Sequence, residues 1–90
     1  MILSVVLSGD YVSQIEKLLD GIRANPRQVR FPDLVRVLEH HGIVIREGKG
    51  SHVVAQSEEG LYTIKKPSPG GFVHPKSVKH CLEMFGLWDQ

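Results

Sequence analysis

Ninety residues, 41% hydrophobic, with a formal net charge of +1, make one domain large enough for a modest core. The single cysteine, Cys81, excludes an intramolecular disulfide framework and fits a reducing cytoplasm. A near-neutral sum gives no overall pull toward nucleic acid or an acidic membrane surface, so any such pull must come from local charge.

Residues 1–7 are apolar but too short to span a bilayer. They carry neither a basic lead nor a small-residue cleavage site, so they do not read as a signal peptide. The sequence leaves them as an N-terminal arm (residues 1–8): an extra strand, a helix-docking segment or an extension outside the functional unit. The first helical signal covers about residues 10–24. Ile15, Leu18, Leu19 and Ile22 recur at i, i+3, i+4, i+7 and form one apolar stripe. Ser13 and Glu16 have the spacing of a capping box.

Asn25-Pro26 breaks that helix. A second begins at Phe31-Pro32, with proline suited to the first position and Asp33 in the first turn. Leu34, Val37 and Leu38 line its face, His40 and His41 close it, and Gly42 stops it. Adjacent histidines on a helix point about 100° apart, so the pattern predicts no metal site and no cofactor.

Three short strands follow, at 43–46, 52–56 and 61–64, joined by turns at Gly48-Lys49-Gly50-Ser51 and Ser57-Glu58-Glu59-Gly60. Gly48 and Gly50 are expected to supply the positive φ of a tight hairpin. Residues 65–73, punctuated by Pro67, Pro69, Gly70 and Gly71, read as a loop. A last helix opens at Pro75 with Val78, Cys81, Leu82 and Phe85 on one stripe; Gly86 ends it and Trp88 folds back as a cover. Cys81 on that stripe reads as a packed, inert thiol. The order, helix, helix, antiparallel meander, helix, predicts a single α+β domain over 1–90 with helices on one face of the sheet.

Residues 60–80 contain Lys65, Lys66, Lys76 and Lys79 and no Asp or Glu, a basic patch on a nearly neutral chain. Lys49 stands in the turn beside His52. Nothing has the spacing of a phosphate loop, a zinc-protease helix, a paired-cysteine site or a nucleophile elbow, and Glu58 and Glu59 read as solvated. His52 with Lys49, Gly50, Ser51 and the later lysines remains. RNA carries its own nucleophile, the 2′-hydroxyl beside the phosphate. One histidine to move its proton and nearby cations to hold the charge would suffice for cleavage. DNA lacks that hydroxyl. From the residues alone, an endoribonuclease, a non-catalytic RNA-binding domain and a protein-interaction module all stay open.

At these residues the chain resembles the HicA family, the RNA-cleaving half of HicA–HicB toxin–antitoxin pairs. The likeness runs from Ile15 to about Phe85. It rests on Ile15-Glu16-Lys17-Leu18-Leu19, on Asn25-Pro26-Arg27-Gln28-Val29-Arg30-Phe31, and on the helix from Phe31 to Gly42. It rests also on Gly50-Ser51-His52, and on Thr63-Ile64 followed by the proline-glycine loop and Pro75. The resemblance implies a double-stranded-RNA-binding-domain-like core, α-β-β-β-α over residues 31–86, with an added N-terminal helix. It implies metal-independent cleavage of mRNA with His52 as the catalytic residue, and a HicB-type antitoxin covering that site. The chain departs from the pattern at Val53, where many relatives carry a second histidine, and at Pro67-Ser68-Pro69, where many carry a loop histidine; His74 lies slightly later.

Overall fold

The structure, a computed structural model, describes residues 2–89, with side chains from Val12 onward. In chain order it contains α1 (Ile2–Ala24), a short 3-10 turn (Pro26–Gln28), α2 (Phe31–His40), β1 (Val44–Glu47), β2 (His52–Ser57), β3 (Gly60–Lys65) and α3 (Pro75–Met84). The strands form one antiparallel sheet in the order β1-β2-β3. The class is α+β, as the sequence predicts.

α1 begins far earlier than its apolar stripe suggests, taking residues 2–8 into helix. Serine and glycine weaken a helix there by up to about 1 kcal/mol each, but no proline, costing about 3, interrupts the run before Pro26. Ser13 and Glu16 therefore lie inside the helix, and the expected capping box is not an end. Met1, and any docking by the side chains of residues 2–11, lie outside what is described.

Two helices end in the same hydrogen-bonded form. After α2, Ile43 N–H donates to Leu38 carbonyl (3.0 Å) and Gly42 N–H to Glu39 carbonyl (3.0 Å), with Gly42 at φ +80°. After α3, Leu87 donates to Leu82 (2.7 Å) and Gly86 to Glu83 (3.1 Å), with Gly86 at φ +71°. These are Schellman closures, which satisfy the last carbonyls and fold the next apolar residue back onto the helix. Ile43 and Leu87 are accordingly buried. That is why β1 starts at Val44 and not at Ile43.

The core joins Ile15, Leu19 and Ile22 of α1, Leu34, Val37 and Leu38 of α2, Val53, Ala55 and Ile64 of the sheet, and Val78, Cys81 and Leu82 of α3. Each fully buried aliphatic side chain contributes about 1.5–3 kcal/mol, and no polar side chain among the described residues is buried with them. Trp88 packs over this core as expected, and Arg23 Nε donates to Leu87 carbonyl at 2.8 Å, tying α1 to the C-terminal tail.

Because strand side chains alternate, burying Val53 and Ala55 turns His52, Val54 and Gln56 to the opposite face. The register sets His52 against Lys65, Val54 between Arg46 and Thr63, and Gln56 between Val44 and Leu61. That second face carries no helix packed on it among the described residues, and Val44 is 58% exposed there.

Burial pushes the Cys81 thiol from an ordinary 9.0 to about 12, which fits the packed, inert reading. The folded-state value is raised, so both states hold the proton below pH 9. Above it the unfolded chain ionises while the folded one does not, and stability is lost as the pH rises from 9 toward 12. Urea unfolding across that range should show the decline, and a Cys81→Ala variant, less stable at neutral pH, should decline less steeply. A wild-type slope equal to that of Cys81→Ala would refute it.

Candidate nucleic-acid interface

The β1–β2 turn closes on itself through two backbone bonds. Gly48 N–H donates to His52 carbonyl at 2.8 Å, and His52 N–H donates to Lys49 carbonyl at 3.2 Å. Gly50 takes φ +64°, the left-handed conformation the sequence predicts. Gly48 does not take a positive φ; the expectation for it is corrected. Its requirement is space, since a Cβ there would sit 2.9 Å from the His52 carbonyl oxygen. The two glycines do different work: one lets the chain reverse, the other lets its arms approach.

The result sets the His52 ring in the open at the start of β2. Its Nδ1 lies 3.3 Å from Lys49 carbonyl. A carbonyl only accepts, so this contact is a hydrogen bond when Nδ1 carries the proton. Nε2 then presents a lone pair, and no hydrogen bond engages it among the described residues. The contact is long and weak, and it biases the ring more than it locks it.

Lys65 faces His52 across the β2–β3 ladder. Lys66 joins the same turn through its N–H, which donates to Ser51 carbonyl at 2.8 Å. Its ammonium meets Glu47 at 3.3 Å, a partly exposed pair worth at most about 1 kcal/mol. The turn thus gathers Lys49, Gly50, Ser51, His52, Lys65 and Lys66. Lys76 and Lys79 belong to α3, and Lys79 is turned to Trp88, its Nζ 5.8 Å from the ring centroid.

His74 is the N-cap of α3: its Nδ1 accepts from Lys76 N–H at 3.2 Å. His41 Nδ1 lies 2.9 Å from Val37 carbonyl at the end of α2, and no cluster suited to a metal occurs among the described residues. One carboxylate of the second turn is engaged too. Glu59 accepts from the Ser57 hydroxyl at 2.6 Å. That bond first, then its own backbone amide, hold its carboxyl below the usual 4.5 against a small opposing desolvation.

Sequence reasoning missed Glu47 as the partner of Lys66, and it missed Arg27, Arg30 and Phe72. Phe72 belongs to the 65–73 loop and the two arginines lie beside it, in two adjoining grooves whose lining residues include no carboxylate. The absence of acid in residues 60–80 pointed toward the loop; nothing in the pattern brought the arginines to it.

No helix among the described residues is long and apolar enough to cross a membrane. Comparison with family models, with curated proteins and with solved structures finds no match.

Gly48→Ala should cost about 1–3 kcal/mol, because its neighbour is backbone and cannot step aside. Gly50→Ala should cost about 1–2 kcal/mol from backbone strain alone. Chemical unfolding measures both, and a Gly48→Ala protein as stable as wild type would show that the hairpin relaxes around the methyl.

Proposed function

We propose that this chain is an endoribonuclease of the HicA toxin type, cutting mRNA by its own 2′-hydroxyl, on a double-stranded-RNA-binding-domain-like α-β-β-β-α core. The observation that carries the reading is the exposed His52 ring, set at the mouth of a hairpin with Nε2 unengaged and Lys65 opposite it.

The chemistry follows from those groups. His52 Nε2 takes the proton of a 2′-hydroxyl as its oxygen bonds to the adjacent phosphorus. The bond from phosphorus to the 5′-oxygen breaks, leaving a 2′,3′-cyclic phosphate on one fragment and a 5′-hydroxyl on the other. The departing oxygen takes a proton from the imidazolium or from water. The ammonium groups of Lys49 and Lys65 offset the charge that builds on the phosphate oxygens. Ser51 and Gly50 keep the turn low enough for a backbone phosphate to reach the ring. The residues named do all of this, so the reading expects cleavage to persist in a chelator.

A HicB-type antitoxin belongs to the same reading. It would present acidic groups to Lys49, Lys65 or Lys66, since opposed charges steer docking. A second reading, RNA binding without cleavage on the same scaffold, is favoured by one feature: among the described residues the His52 ring has a single hydrogen-bond contact, a long one to a carbonyl. Salt-sensitive RNA binding with no products over a long incubation would select that reading.

Purified protein should cut RNA, but not DNA of the same sequence, in the presence of EDTA. His52→Ala should lower cleavage by a factor of about 100 or more and leave the melting temperature near that of wild type, since the ring is exposed. Undiminished cleavage by folded His52→Ala protein would end this role.

Glu47→Gln should tighten RNA binding a few-fold at low salt by freeing Lys66 and removing a nearby negative charge. Titrations at two ionic strengths test this, and unchanged affinity at both would show that the pair is energetically silent.

A further inference from the structure

A single backbone bond joins the segment before α2 to the loop before α3. Val73 N–H donates to Val29 carbonyl at 2.8 Å, and both valines are buried. Their chain neighbours, Arg30 and Phe72, are exposed at the surface. The Arg30 guanidinium sits 5.5 Å from the centroid of the Phe72 ring, a cation–π contact.

Phe72 is 44% exposed, and it lines a groove of about 470 Å³ together with Arg27, Lys65 and His74. The groove begins at Lys65, the cross-strand partner of His52. A large aromatic ring this exposed, in a groove that also carries Arg27, Lys65 and Lys66 and no carboxylate, does not serve the core, and its chain neighbour Val73 is tied to Val29 just after the 3-10 turn. Aromatic faces beside a track of positive charge are what an unpaired nucleotide needs: the ring stacks the base and the cations hold the phosphates. In a duplex both faces of every base are already stacked, so such a subsite selects unpaired RNA.

Resting on the ribonuclease reading above, we propose that Phe72 and Arg30 form a stacking subsite for one base of single-stranded RNA, on the loop side of the phosphate that meets His52. Arg27 and Lys65 hold the flanking phosphates. Phe72 is here a positioning residue and takes no part in proton transfer.

The test uses the full chain and a fluorescent 2′-O-methyl RNA 12-mer, which lacks the nucleophile and is not cut, alone and as a blunt duplex, followed by anisotropy at several salt concentrations. Wild type should bind the single strand more tightly than the duplex. Phe72→Ala should weaken single-strand binding by about tenfold with its salt slope unchanged, and Phe72→Trp should restore it. Arg27→Ala and Lys65→Ala should instead lower the slope by about 0.7 each.

Single-strand affinity unchanged in Phe72→Ala, or a wild-type preference for duplex, would overturn the subsite while leaving the ribonuclease reading standing. Equal losses in Phe72→Ala and Phe72→Trp with a fallen melting temperature would assign the ring to loop packing and overturn it as well. Wild-type protein that neither binds nor cuts RNA would overturn both the subsite and the function it rests on.

Discussion

Burial of Val53 and Ala55 on the central strand is the constraint from which the rest follows. They sit in the interior with residues from all three helices, and the period of a strand is two. With those two side chains inside, His52 has no choice but to face out. A slip of one residue would carry the imidazole into an apolar core and expose two hydrophobic side chains, so packing energy and the position of the site are the same fact. The close approach at Gly48 and the reversal at Gly50 keep the hairpin short enough for that register to hold.

A second pin governs the loop after β3. Val73 and Val29 are far apart in sequence yet joined by a backbone hydrogen bond, and both are shielded from water. Loops that lack such ties sample many conformations, and ordering them on binding costs entropy. Here the ends of the 65–73 loop are held, by Lys66 to Ser51 and by Val73 to Val29, so the basic and aromatic side chains it carries are already placed. Preorganisation of that kind lowers the ordering cost of any contact made there.

Charge is arranged by the same geometry. The chain as a whole is almost neutral, but the charged residues lining the grooves beside the loop are Arg27, Arg30, Lys65 and Lys66, with no carboxylate. Glu47 comes close by pairing with Lys66. Local potential of this sort falls off within a Debye length, about 8–10 Å at ordinary ionic strength, so a ligand senses the groove and not the net charge of the protein.

Much of this was legible from the chain alone. The apolar stripe of α1, the proline-initiated starts of α2 and α3 and the glycines after them announce three helices. The alternation around His52 and the two turns announce a meander. These are local signals, written by steric preference and by periodicities of 3.6 and 2. Helix and strand ends were less legible because neighbours compete for them: Ile43 looks like strand but is taken by the helix closure before it. The early start of α1 was hidden because weak residues lower a helix without stopping it.

The basic turn with its histidine was determined by residues adjacent in the chain, and so could be read there. The meeting of Arg30 with Phe72, the pairing of Glu47 with Lys66 and the tie of Arg23 to Leu87 join positions separated by 19 to 64 residues. No pattern along a sequence encodes such pairs, because each depends on how helices, loop and sheet settle around one core. Only the tertiary structure could decide them.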